Sequence, residues 1–172
     1  MKKVITLILV LMMVMALAAC GEKEDGKGNT VSNLTDEQLL EKLQGIVDGK
    51  TGDMPVENIS FTQLADMGAD PSGLFGNWFN GMAIPEGAKI VVNNPMMMGQ
   101  AHVVLLIQPA EGTDITKLEQ ELKDNANPRW NICTEANFVE SAVKDGLILF
   151  MMTTTGGDSQ IDAQGILDAF NA

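Results

Sequence analysis

The residues best suited to chemistry lie together in one short run, Pro95-Met96-Met97-Met98-Gly99-Gln100-Ala101-His102. Thioether sulfurs and an imidazole are soft donors that select Cu(I) where thiolates are absent, so Met96, Met98 and His102 form a candidate metal set. The same methionines would serve as flexible core filler or as an adaptable contact surface. His102 is the chain's one histidine, and Cys133 is the one cysteine besides Cys20. Nucleophilic hydrolysis needs a nucleophile, a base and an orienting group. Cys133 and His102 would supply the first two, as a cysteine-dependent enzyme. They fall on different elements, however, with the histidine at the mouth of an apolar strand, where packing is its ordinary role.

Other catalytic sets are not specified. Asp66 and Asp70 flank Gly68, and Glu119 and Glu121 diverge on a helix, as expected among 23 acidic residues. Two tryptophans, Trp78 and Trp130, and no tyrosine do not announce a sugar platform, and glycosidase chemistry has no specific support. There is no phosphate loop, dinucleotide fingerprint or His/Cys zinc cluster. The expectation is a protein that is not an enzyme and carries no cofactor beyond a covalent lipid.

That lipid is expected at Cys20. Lys2-Lys3 precede an apolar run from Val4 to Ala16, and Leu17-Ala18-Ala19-Cys20 follows. A positive start, an apolar middle and small residues at a cut site are the order of an export signal. With cysteine directly after Leu17-Ala18-Ala19, the stretch resembles the lipobox, the motif read by prolipoprotein diacylglyceryl transferase and the lipoprotein signal peptidase. The resemblance implies diacylation of Cys20 on sulfur and cleavage before it. An uncleaved spanning helix is disfavoured, because the run falls short of the ~20 apolar residues needed. The domain plan is therefore 1–19 signal peptide, 20–33 lipidated cysteine and flexible tether, and 34–172 a single domain. Gly21 to Ser32 holds three glycines and one apolar residue, too little burial to offset the entropy of ordering it.

Charge and cysteine usage narrow the partners. The chain has 11 Lys+Arg and 23 Asp+Glu; without Lys2 and Lys3 the mature chain stands at −14. Such a surface repels phosphate backbones, so nucleic acid is not an expected partner. It also repels anionic headgroups, so membrane attachment is expected through the acyl chains alone. With Cys20 lipidated, Cys133 has no disulfide partner, and the domain must be held by burial. A disulfide-free exported domain suits the outer face of a Gram-positive membrane.

The positioning elements follow from periodicity and caps. Thr35 and Gln38 stand as a capping box before Leu39, Leu40, Leu43, Ile46 and Val47, one helical stripe that Gly49 would stop. Residues 54–87 read as irregular. Ser60 to Gly68 suits a short capped helix, Asp70-Pro71-Ser72 opens a turn, and Trp78, Met82 and Ile84 alternate as in a short strand. Lys89–Val92 is predicted as a strand broken by Asn93-Asn94-Pro95. Ala101–Gln108 is apolar on both faces, as in a covered central strand. Asp114 caps a helix carrying Ile115, Leu118, Leu122 and Ala126, which ends before Pro128.

Asp145-Gly146 between Phe138–Lys144 and Leu147–Thr154 signals a two-residue type I′ hairpin. That turn sets Lys144 opposite Leu147 and Val143 opposite Ile148. Val139, Val143, Ile148, Phe150 and Met152 then share the face expected to be core. Ala163, Ile166, Leu167 and Phe170 mark a last helix. The expected architecture is α+β: a two-layer sandwich of a mainly antiparallel sheet with helices on one face.

The lipobox and polar tether, the strand Ala101–Gln108, the helix Ile115–Asn125 and the hairpin Val139–Phe150 together resemble a family of small Gram-positive lipoproteins with a C-terminal α/β domain of unknown function. The resemblance implies fold and location only. The Met96-Met97-Met98 run falls outside that pattern, although Met-X-Met followed by histidine is similar to extracytoplasmic copper-trafficking segments. The expectation is a lipid-anchored, non-catalytic binding or interaction domain, partnered by the membrane and by another cell-envelope protein or a small ligand. Cu(I) binding at Met96, Met98 and His102 is the alternative.

Overall fold

The computed structural model describes residues 33–172 apart from Met98. Leu17, Ala18, Ala19 and Cys20, with the rest of the signal segment and the tether to Ser32, lie outside the described residues.

Local signals place most of the helices. In α1 (Asp36–Val47) the Thr35 hydroxyl accepts the Gln38 N–H while the Gln38 carboxamide accepts the Thr35 N–H. Leu39, Leu43, Ile46 and Val47 form its buried stripe. A second reciprocal box, Ser60 with Gln63, starts the short α2 (Phe61–Asp66). Such boxes pair two N–H groups that the first turn leaves without partners. Asp114 Oδ1 accepts the Lys117 N–H to start α4 (Ile115–Asn125), and Asp162 does the same for Gly165 in α5 (Ala163–Asn171).

Among the described residues, five strands form one open sheet: β1 (Val56–Ser60), β2 (Lys89–Pro95), β3 (His102–Gln108), β4 (Phe138–Lys144) and β5 (Leu147–Thr153). Their order is β1-β2-β3-β5-β4, and every neighbouring pair is antiparallel. The α+β class and the antiparallel sheet are as the sequence predicts. So is the hairpin register, with Lys144 opposite Leu147 and Val143 opposite Ile148. Asp145 (φ 50°) and Gly146 (φ 78°) both adopt the left-handed backbone that a type I′ turn requires.

Successive strand residues point to opposite faces. Ile90, Val92, Val103, Leu105, Ile107, Ile148, Phe150 and Met152 pack with α2, α4 and α3 (Pro71–Trp78) through Phe61, Phe75, Trp78, Leu118 and Leu122. On the other face Val91, Val104, Leu106, Leu147, Leu149 and Met151 pack with Leu39 and Leu43 of α1 and Ile166 and Phe170 of α5. The helix layer expected on one face is thus joined by a second pair of helices opposite. Both faces of β3 and β5 are core, and every residue of the two strands is buried.

Three local expectations are corrected. Asp70-Pro71 opens helix α3, with proline in its first turn, instead of a plain turn. The alternation of Trp78, Met82 and Ile84 is not a strand: Trp78 ends α3 and irregular backbone follows. Asn93-Asn94-Pro95 does not break β2, which pairs with β1 out to Pro95 opposite Val56.

Candidate ligand cleft

The reason β2 continues through Asn93 is a row of polar side chains on the α1/α5 face, buried at Asn93, His102 and Thr153. Asn93 Nδ2 donates to Asn58 Oδ1 of β1 at 2.8 Å, and Asn58 Nδ2 donates in turn to Gln44 Oε1 of α1. Asn93 Oδ1 lies 2.7 Å from His102 Nε2, and His102 Nδ1 lies 3.0 Å from Thr153 Oγ1. Asn93, His102 and Thr153 are at most 1% exposed. With the Asn93 amide so oriented, its oxygen only accepts, so Nε2 carries the imidazole proton and Nδ1 accepts from Thr153. Four hydrogen bonds then run one way, Thr153 to His102 to Asn93 to Asn58 to Gln44, each polarising the next. Burial pushes the His102 imidazole down from 6.5 to about 4, because low dielectric disfavours its charged form.

Above this row, the chain linking β2 to β3 separates two clefts that share Met97 and Gln100 as walls. The larger, about 340 Å³, is bounded by Thr51, Asp53, Met54, Asp158 and Gln160. The smaller, about 180 Å³, brings together Trp78 from the end of α3, Trp130 from the segment after α4, and the carboxamides of Asn77, Asn94, Gln100 and Asn131. Leu74 at its edge is 37% exposed, Met97 is 69% exposed, and nearby in sequence Met96 and Ile132 are 65% and 97% exposed. A third cleft, about 220 Å³, lies at the opposite end of the strands beside Lys42, Lys144 and Phe170.

Backbone hydrogen bonds fix the smaller cleft. The Asn127 N–H donates to the Trp78 carbonyl at 2.8 Å, and the Trp130 N–H donates to the Asn127 carbonyl at 3.2 Å. Asn127 Nδ2 also donates to the Asn77 carbonyl at 2.9 Å. Trp78 rests on Phe61, with ring centroids 6.3 Å apart. Asn131 Nδ2 reaches the Gln100 carbonyl at 3.4 Å, and Asn131 Oδ1 accepts the Cys133 N–H. One asparagine thus joins the two tryptophan-bearing segments, and another joins the second of these to the β2–β3 connection. Nothing in the spacing of Trp78 and Trp130 announces their convergence, which depends on packing between α3 and the segment after α4.

The residues singled out by sequence differ in burial and bonding. His102 is buried with both ring nitrogens engaged, Met96 is exposed, and Met98 is outside the described residues. Cys133 is exposed and has no bond to the His102 ring. No group of three His, Cys, Asp or Glu side chains is placed to hold a metal ion among the described residues. No helix among them is long and apolar enough to cross a membrane. No protein family, curated protein or solved structure matches the chain.

Proposed function

We propose that this is an exported, non-catalytic binding domain, anchored to the outer face of the cell membrane by a diacylglyceryl group on Cys20. It receives a small ligand or a cell-envelope partner at the β2–β3 end of its sheet. The anchor rests on Leu17-Ala18-Ala19-Cys20 after the positive and apolar segments. The observation that carries the binding half is the pair of clefts sharing Met97 and Gln100, with exposed Met97 between them. Concave, mixed apolar and polar surfaces are the ordinary form of ligand sites. An exposed methionine makes an adaptable contact. The buried His102 serves the sheet, with both ring nitrogens engaged by Asn93 and Thr153.

The test is a photocrosslinking residue placed at Met97 and, separately, at Lys42 by the cleft at the far end, in cells making the full chain. A discrete crosslinked species is expected from position 97 and not from position 42. Equal labelling from both, or none from position 97, would remove the binding reading.

A further inference from the structure

The smaller cleft is lined without a single charged side chain, in a chain with 34 charged residues of which 23 are acidic. Its polar side chains are four carboxamides and two indoles, while the ring nitrogens of buried His102 are taken up by Asn93 and Thr153. We propose that this cleft binds one ring of a neutral saccharide. The inference deepens the proposed function by naming the ligand class. It rests on that reading for exposure to the glycans of the cell envelope.

A charged ligand entering here would lose hydration and meet no opposite charge among the lining residues, which is costly. Sugar hydroxyls both donate and accept, and so do carboxamides, each with two N–H donors and a carbonyl acceptor. The C–H face of a pyranose is apolar and suits an indole face, which carries a large hydrophobic area with a polar N–H at its edge. At about 180 Å³ the cleft is below the ~300–1,000 Å³ that encloses a whole drug-sized ligand. It takes one ring and leaves the rest of the saccharide outside. The Asn127 bridge and the Phe61 contact hold the two tryptophans before any ligand arrives, which lowers the ordering cost of binding. The base of a nucleotide would also stack here, but the nucleotide's phosphates meet a mature chain of charge −14.

The experiment uses intrinsic fluorescence, because Trp78 and Trp130 are the chain's two tryptophans and both line the cleft. The native full chain, solubilised in detergent, is titrated with cellotriose and with N,N′,N″-triacetylchitotriose, then with free adenosine and with a neutral apolar peptide. A saturable change with at least one trisaccharide is expected. Its Kd should rise about tenfold or more in Trp130→Ala and in Asn77→Leu. Asn77 is exposed, so its leucine variant should fold even where Trp130→Ala does not, and a thermal midpoint checks each. No response to either trisaccharide overturns the inference. So does a response to adenosine or the peptide alone, or an unchanged trisaccharide Kd in Asn77→Leu. Each of those failures leaves the crosslink at position 97 free to appear, so the two readings fall separately.

Discussion

His102 Nε2 stands 2.7 Å from Asn93 Oδ1, and this contact sets the direction of the whole hydrogen-bond row. With the proton on Nε2, the Nδ1 lone pair is free to accept from Thr153. Protonating His102 places a second N–H against the Thr153 hydroxyl and puts a charge beneath two helices. The folded imidazole titrates near 4, against 6.5 unperturbed. Between those values the unfolded chain binds more protons than the folded one. The histidine's contribution is therefore fully present above pH 6.5 and is lost as pH falls toward 4, by roughly 3 kcal/mol in total. His102→Gln keeps one donor and one acceptor but does not titrate. Denaturation midpoints across pH 4–7 should fall more steeply in the wild type than in this variant. Parallel curves would show that the histidine is not held neutral.

Removing the ring altogether has a different effect. His102→Ala leaves Asn93 Oδ1 and Thr153 Oγ1 buried without their partner, at about 1–3 kcal/mol for each group. At neutral pH it should lower the urea midpoint well below that of His102→Gln. Equal midpoints would mean that water replaces the imidazole at little cost.

The hairpin offers a cleaner backbone test. Gly146 sits at φ 78° and Asp145 at φ 50°. A β-branched residue resists the left-handed region strongly. Gly146→Val should destabilise by about 1–3 kcal/mol. Asp145→Asn should leave the midpoint near the wild type, because asparagine tolerates that region. If valine at 146 is also neutral in urea denaturation, the turn has another geometry in solution.

What was legible in the sequence, and what was not, follows the range of the forces involved. The capping boxes, the stripes of α1, α4 and α5, and the Asp145-Gly146 turn are written in residues a few positions apart. β1 has little local signature, because Val56–Ser60 is short and carries Glu57 and Asn58, so its apolar signal is weak. It forms by pairing with β2, and Asn58 meets Asn93 only in that register. Asn93-Asn94-Pro95 read as a break because local propensity cannot register that a carboxamide finds two partners across the sheet. The apolar run of β3 implied cover on both faces, and α1 with α5 provides the second cover. The tryptophan cleft left no local trace, since neither Trp78 nor Trp130 is near the other in sequence.

The anchor is tested by mass. The full chain from membranes should begin at Cys20 and carry the added mass of a diacylglyceryl group, whereas Cys20→Ala should accumulate with its signal attached or be released. A processed wild-type protein that retains Met1 would sink the lipoprotein reading.

The copper alternative is tested on the same thioethers that the sequence singled out. A metal at His102 needs a ring lone pair, and the only one belongs to Nδ1, which accepts from Thr153. Binding there would displace that hydroxyl inside a face where His102 is 1% exposed, while Met96 is 65% exposed. The expected result is no stoichiometric Cu(I) uptake by the full chain under reducing conditions. Met96→Leu with Met98→Leu keeps apolar bulk and removes both sulfurs. The pair should cost under ~1.5 kcal/mol of stability, as a nearly volume-conserving change, and leave metal uptake where it was. If the wild type takes up one equivalent and the double variant takes up none, the run is a metal site. Affinity should then also weaken on acidification, because a protonated imidazole has no lone pair to give.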